Sequence, residues 1–334
     1  MIQHVPLNRS LVPAVVDLWN RELGERFPMR ASLFIQNSIE DVHVLKDGSV
    51  VLMDAVTDEA IGLVVSKKLS TEDPYWDMLA HDQDTGWTGW IQVLLVDRRY
   101  RGQGFGSRLL EIAENALMVS GAKKIVLGGD PWHYFPGVPA DDGTALKWFQ
   151  KRRYRAGQTV YDLLCRKENL SDLPAVDASG VTGRQKSHLA YRLLHASEKE
   201  RFLKFIQKVF PGRWTYEAYH YFLKGGQGRE ILVAEKDGEM IGFCRLHDDR
   251  SPLIAQSVYW APLFPGLHLG GVGPLGLDPA ERGGGYGLAM VRAALEELFR
   301  RGQEYVVIDW TELVGFYERL GCRVWKSYVY HEKV

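Results

Sequence analysis

The chain has 334 residues, 46% hydrophobic and 25% charged, and its 10 Trp, 15 Tyr and 13 Phe supply bulky core material. Composition therefore excludes a disordered or fibrous chain, and the length predicts two domains of roughly 150 residues each. Lys plus Arg (41) against Asp plus Glu (42) leaves a formal charge of -1, which gives no global field for nucleic acid or an anionic membrane.

The opening residues are interrupted by Pro6, Asn8, Arg9, Ser10 and Pro13, so they form no apolar signal core. No later stretch approaches the ~20 apolar residues of a membrane span, and a cytoplasmic location is expected. Residues 49–56 and 60–67 are apolar, β-branched runs around an acidic turn, which predicts an antiparallel hairpin. A strand at 90–96 follows, then a glycine-rich segment at 101–106. Beyond it Leu109, Leu110, Ala113 and Leu117 fall at helical spacing, and Gly121 stands where a cap glycine belongs. Residues 124–127 predict a buried strand and 144–152 a second helix. The Pro- and aromatic-rich loop between them, 128–143, lines a cleft or caps the other domain; its His133, beside Trp132 and Tyr134, is read as a packing residue. A polar stretch with scattered Pro, Gly and Ser at 166–186 predicts the linker. The expected division is an N-terminal domain at 1–167, a linker at 168–186 and a C-terminal domain at 187–334.

The second half repeats this order. Residues 230–235 and 240–246 predict a hairpin, and 272–277 a strand. A second glycine segment at 282–287 precedes a helical stripe of Met290, Val291, Ala294, Leu295 and Leu298; Gly302 closes it, a strand at 305–308 follows, and 312–320 predicts the last helix. Moving Asp97, Arg101 and Gly121 by 181 positions lands on Asp278, Arg282 and Gly302. One strand, loop, helix and strand unit has been used twice. Cys165, Cys244 and Cys322 form no metal or redox spacing and are read as buried thiols in a reducing compartment. No two of the 10 His stand at metal-ligand spacing on a predicted helix.

A glycine loop that opens a helix straight after a strand binds anions, because the first helical turn offers unpaired N–H donors and a partial positive charge. The dinucleotide fingerprint GxGxxG is excluded: Gly102-Gln103-Gly104-Phe105-Gly106-Ser107 has its third glycine one position early, and Leu288 fills that position in the second copy. A Walker loop is excluded because neither segment ends in Gly-Lys-Ser/Thr.

The order hairpin, strand, Arg-x-x-Gly-x-Gly, helix, strand, helix, carried by Arg101, Gly104 and Gly106 and again by Arg282, Gly285 and Gly287, resembles the GNAT superfamily of acyl-CoA-dependent N-acyltransferases. The resemblance covers the chain outside the linker and implies an α/β (α+β) fold of two tandem domains, each a mixed, mostly antiparallel sheet flanked by helices. It also implies acetyl-CoA (coenzyme A) as cofactor. On that reading the backbone of Arg101, Gly102, Gln103, Gly104, Phe105, Gly106 and Ser107 holds the pyrophosphate, as does that of Arg282, Gly283, Gly284, Gly285, Tyr286 and Gly287. Leu95 and Val96, and Leu275, Gly276 and Leu277, pair with the pantetheine amides. Tight turns alone would explain one such loop, but not two with a shared Arg and shared spacing.

Acyl transfer to an amine needs a neutral amine and a proton for the departing thiolate. In this family the proton often comes from a Tyr in Phe-Tyr-x-x-x-Gly-Phe; Phe316-Tyr317-Glu318-Arg319-Leu320-Gly321-Cys322 matches apart from its last residue, so the resemblance makes Tyr317 the candidate general acid. The plainer reading of Tyr317 is a half-buried aromatic bonded to backbone. The first copy has Phe149 at that place and Arg153 for the glycine, and phenylalanine donates no proton. The N-terminal domain is thus expected to bind coenzyme with doubtful catalysis, and the C-terminal one to catalyse. For the general base, Asp309, Glu312 and Glu318 stand near the strand end and last helix, with Asp309 preferred. The resemblance places the aromatic segment 210–222 in the helical region that walls the acceptor site, so Trp214 is the expected acceptor-pocket aromatic. The expected activity is acetyl transfer to a primary amine of a small molecule or peptide, with no nucleic acid and no membrane among its partners; the alternative is a non-catalytic acyl-CoA-binding sensor or scaffold.

Overall fold

The computed structural model describes residues 1–80, 87–171, 188–264, 266 and 268–334. Its contacts divide into two compact units, Met1–Val160 with Ser327–Val334, and Tyr161–Lys326. These differ from the contiguous halves expected at 167, because the last strand segment of each unit comes from the other half of the sequence. Of the expected linker, Lys167–Ser171 begins as a short helix, and 172–186 lie outside the described residues.

In the N-terminal unit β1 (Ile2–Pro6), β2 (Val50–Asp54), β3 (Glu59–Lys68) and β4 (Thr88–Val96) are joined antiparallel in that order. Parallel to β4 runs β5 (Lys124–Leu127), from Thr88↔Lys124 to Ile91↔Leu127. Short β6 (Val138–Pro139) lies in the loop 128–143, and β7 (Arg155–Arg166) leaves the unit. In the C-terminal unit β8 (Leu189–Leu193), β9 (Ile231–Lys236), β10 (Glu239–His247) and β11 (Leu269–Leu277) repeat the antiparallel order, and β12 (Tyr305–Thr311) runs parallel to β11. The Asp237-Gly238 turn between β9 and β10 has positive φ at both residues, as a two-residue hairpin loop requires. Residues 161–166 of β7 complete this sheet against β12, while Glu332 and Lys333 of β13 (Arg323–Lys333) pair with β5.

The predicted helical stripes are buried. Leu109, Leu110, Ala113 and Leu117 lie on α1 (Phe105–Val119), and Met290, Val291, Ala294, Leu295 and Leu298 on α2 (Tyr286–Arg300). Each stripe packs on its own sheet. No helix among the described residues is long and apolar enough to cross a membrane.

The cysteine expectation is corrected. Cys165 on β7 and Cys322 after the last helix form a disulfide, and Cys244 alone is a free, buried thiol. A separation of 157 residues hid this, since only the incorporation of 161–166 into the C-terminal unit brings the two together. Replacing both by Ser is expected to lower unfolding free energy by about 2–4 kcal/mol, read as an earlier denaturant midpoint. An unchanged midpoint under oxidising conditions contradicts this.

Candidate active site

The two glycine loops are built alike. Gly104 (φ 87°) and Gly285 (φ 78°) are the N-cap residues of α1 and α2, and neither helix has a side-chain cap. The first-turn amides therefore face outward without a side-chain acceptor, in a left-handed backbone that favours glycine. Asp97 and Asp278 each brace the loop by accepting from the amide two residues on, at 2.8 and 2.9 Å. The shared arginine ties the loop to the strand before it: Nε of Arg101 donates to the Val96 carbonyl (2.9 Å), and Nε of Arg282 to that of Leu277 (3.4 Å). There the copies part. Arg101 also pairs with Glu22, and the Ser107 hydroxyl accepts from Arg152 at 2.7 Å, whereas Arg282 has no ion pair among the described residues.

Preceding each loop, the strand outruns its parallel neighbour. Pairing of β11 with β12 stops at Val272↔Ile308, and Pro274, which has no N–H, cannot donate to a longer ladder. Leu275, Gly276 and Leu277 thus keep an edge not paired with β12, as Leu95 and Val96 do beyond Ile91↔Leu127. Phe105 packs against its own core and Tyr286 is buried, its carbonyl accepting from the Tyr191 hydroxyl at 3.1 Å. Helix α3 (Arg213–Leu223) lies over this part of the sheet. Its Trp214 packs with Phe210 and Phe243, so close above Gly276 that any side chain there would collide with it. Trp214 is therefore a wall built into the aromatic cluster rather than a free-standing platform.

The opened ladder separates two groups. Tyr317, on α4 (Val314–Glu318), is 5% exposed and packs with Cys244, Val272 and Ile308 on the α2 side of the sheet. Burial pushes its phenol above the usual range, so it stays protonated; the Thr311 side chain partly offsets this. Asp309, next in β12, faces the other side, with Oδ1 at 2.9 Å from where a Cβ on Gly273 would sit. Its carboxyl is pushed up to about 8 by burial, then by Asp162 and Glu217, against a smaller opposing effect of Arg213. Asp162 stands on β7 opposite the irregularity between Ile308 and Thr311, and its Oδ1 accepts from the Trp310 amide at 3.1 Å. This bond supports a strained turn, since Trp310 has φ 45°. Arg213 stacks over the Trp310 ring at 4.7 Å and donates to Glu217 at 2.8 Å.

Sequence reading missed Asp162, Arg213, Glu217, Arg245 and His247 at this site. A signal existed for Arg245 and His247, polar residues at alternate positions of an otherwise apolar strand. For Asp162 there was none, since it lies in the other half of the sequence.

The N-terminal copy has the scaffold without the groups. Trp148 and Phe149 meet at 4.9 Å and 87°, the same as Phe316 and Tyr317, so Phe149 occupies the Tyr317 place. Arg153 even adopts φ 70° where Gly321 has φ 75°. At the position equivalent to the acceptor side, fully buried Lys67 pairs with Asp130 (2.6 Å) and Asp41 (2.8 Å), and Gln92 bonds Ser38 (2.8 Å) and the Trp132 carbonyl (2.9 Å). The loop 128–143 fills this cleft, with Tyr134 and Phe135 against Trp19; His133 is 2% exposed and bonds the Asp130 carbonyl, a packing role as expected.

The acetyltransferase (GNAT) family model matches residues 12–134 and again 199–322. Among solved structures, a glucosamine N-acetyltransferase region of a fungal multi-domain β-N-acetylglucosaminidase has TM-score 0.83 at 24% identity; the match covers 100% of this chain and 38% of that one. A GCN5-related N-acetyltransferase from Sphaerobacter thermophilus gives 0.68 at 16% identity over 99% of this chain and 95% of that one. A tandem GNAT protein from the clavulanic acid pathway gives 0.65 at 14% over 100% and 98%. Comparison with curated proteins gave no match.

Proposed function

The chain belongs to the acetyltransferase (GNAT) family, and from that premise we propose that its C-terminal unit moves an acetyl group from acetyl-CoA to a primary amine of a small molecule or peptide by direct attack. The uncapped first turn of α2 and the free face of Arg282 suit a diphosphate, and the edge of Leu275, Gly276 and Leu277 suits the amides of a pantetheine arm. Acetyl-CoA supplies the thioester; this chain's residues move the protons. Asp309, ionised above about pH 8, takes the proton of the incoming ammonium group, and Tyr317 across the sheet gives a proton to the departing sulfur. The observation that carries this is the placing of a carboxyl, Asp309, and a buried phenol, Tyr317, on opposite sides of one opened ladder.

Tyr317→Phe is expected to lower turnover by roughly 10²- to 10⁴-fold with coenzyme affinity nearly intact. Thiol release over a panel of amines that includes glucosamine measures the first, calorimetry the second. Unchanged turnover removes Tyr317 from the mechanism. For the N-terminal unit, Phe149 and the self-paired Lys67 favour coenzyme binding without transfer.

A further inference from the structure

Resting on that reading, the acceptor side of the C-terminal unit holds three buried polar groups that the transfer step does not use. Arg245 and His247 lie two residues apart on β10, and Ser257 packs against Gly271, the cross-strand neighbour of His247. They are 5%, 4% and 3% exposed. The Arg245 guanidinium stacks on the Tyr221 ring at 4.4 Å, and its Nε has no hydrogen-bond partner among the described residues. Nearby carboxylates are already engaged: Glu217 with Arg213, and Glu230 with Tyr221 and Arg229. Nε2 of His247 donates to the Gly273 carbonyl at 2.8 Å, which leaves Nδ1 an acceptor with no partner among the described residues. Burial, then Arg245, holds this ring neutral, its pKa lowered to about 3. Among the described residues the Ser257 hydroxyl is likewise without a hydrogen-bond partner.

Buried polar groups are rarely left unpaired, because the desolvation already suffered is recovered only when a partner arrives. The chemistry of that partner follows from the set. A donor and an acceptor at neighbouring positions are both satisfied by hydroxyl groups, which give one hydrogen bond and take others. A carboxylate accepts only and leaves His247 Nδ1 bare; an alkyl chain leaves all three. Charge agrees, since Arg213, Arg229, Arg245 and Arg301 are balanced by Glu217, Glu230, Asp248 and Glu297, so no net positive field selects an anion. The site adjoins the proposed base: the Gly273 that receives the His247 bond also lies against Asp309 Oδ1. We infer that the acceptor is a polyhydroxylated amine of the amino-sugar class, with its amine at Asp309 and its hydroxyls at Arg245, His247 and Ser257.

The test compares D-glucosamine, a chitosan oligomer, cyclohexylamine and β-alanine as acceptors in thiol-release assays. One or both sugars should exceed cyclohexylamine in kcat/KM by roughly 10²-fold, because a site built to bond hydroxyls rejects analogues that lack them. The free sugar leading points to a small-molecule acceptor, and the oligomer leading to a glycan end. Arg245→Met should fold at least as well as the parent, since it removes a buried guanidinium whose Nε makes no hydrogen bond to the described residues, and should cut the sugar-to-cyclohexylamine ratio about tenfold or more through KM. Ser257→Ala should lower the same ratio by a smaller factor. Sugars no better than cyclohexylamine, a preference for β-alanine, or a ratio unmoved by both variants overturns the inference while acetyl transfer stands. If no amine is turned over, acetyl transfer fails instead, and calorimetry of glucosamine with coenzyme-saturated protein decides the inference. Binding lost in Arg245→Met supports it, and no binding overturns it.

Discussion

Asp309→Asn is expected to cost roughly 10²- to 10⁴-fold in turnover and, at pH 8 to 9, to make the protein more stable. The two effects have one cause. A carboxyl whose folded pKa is about 8, against about 4 in the unfolded chain, holds its proton more tightly when folded. Its contribution to stability is thus largest below about pH 4, is lost as pH rises towards about 8, and stays a penalty above that. Asparagine keeps the shape without the charge, so at pH 8 to 9 it should relieve a penalty on the order of a few kcal/mol. Thermal unfolding across pH 5 to 9 checks this: the Tm gain should grow with pH. A Tm gain equal at all pH values, or undiminished turnover, contradicts the assignment.

The same shift sets a pH profile. The amine's proton is accepted only by the ionised form, so kcat/KM should fall about tenfold per pH unit below about 8. Burial is the first cause, and its effect survives substitution of neighbours. Asp162 is the next, and Asp162→Asn keeps an oxygen for the Trp310 amide while removing the charge. The acid limb should then move to lower pH. Glu217 and Arg213 on α3 and Tyr317 on α4 also face Asp309 and are unchanged in that variant. A limb that stays in place shows that burial alone raises the carboxyl.

Local chemistry explains what the sequence made legible. The hairpin at Asp237-Gly238, the two helical stripes and the positive-φ glycines of both loops are properties of a few adjacent residues, and each stands where periodicity and turn residues placed it. The equivalence of Phe149 and Tyr317, read from a short pattern, is matched by identical ring geometry. Hidden features are those made by distant segments. β7 lies in the first half of the sequence, where no strand is predicted, and its residues 161–166 complete the C-terminal sheet and bring Asp162 to Asp309 and Cys165 to Cys322. Spacing carries no trace of an exchanged strand, so neither the Cys165–Cys322 bridge nor the approach of Asp162 to Asp309 is legible in the sequence.

Gly285→Val should abolish coenzyme binding to the C-terminal unit, with a loss of turnover of roughly 10²-fold or more. A Cβ at Gly285 meets none of the described residues within 4 Å, so the penalty does not come from a clash with them. Two other effects act. The left-handed backbone at φ 78° is costly for a β-branched residue, by about 1–2 kcal/mol, so the loop moves away from the geometry that aims its amides. Whatever open space the side chain then takes is space beside the uncapped first turn, where an anion must come within hydrogen-bond distance. Gly104→Val makes the same change in the other unit, at φ 87°. Calorimetry with acetyl-CoA should give two sites in the parent, one in each single variant and none in the double, and the site lost in Gly285→Val should be the one whose loss removes turnover. If Gly285→Val keeps both binding and turnover, the amides of α2 do not hold the donor.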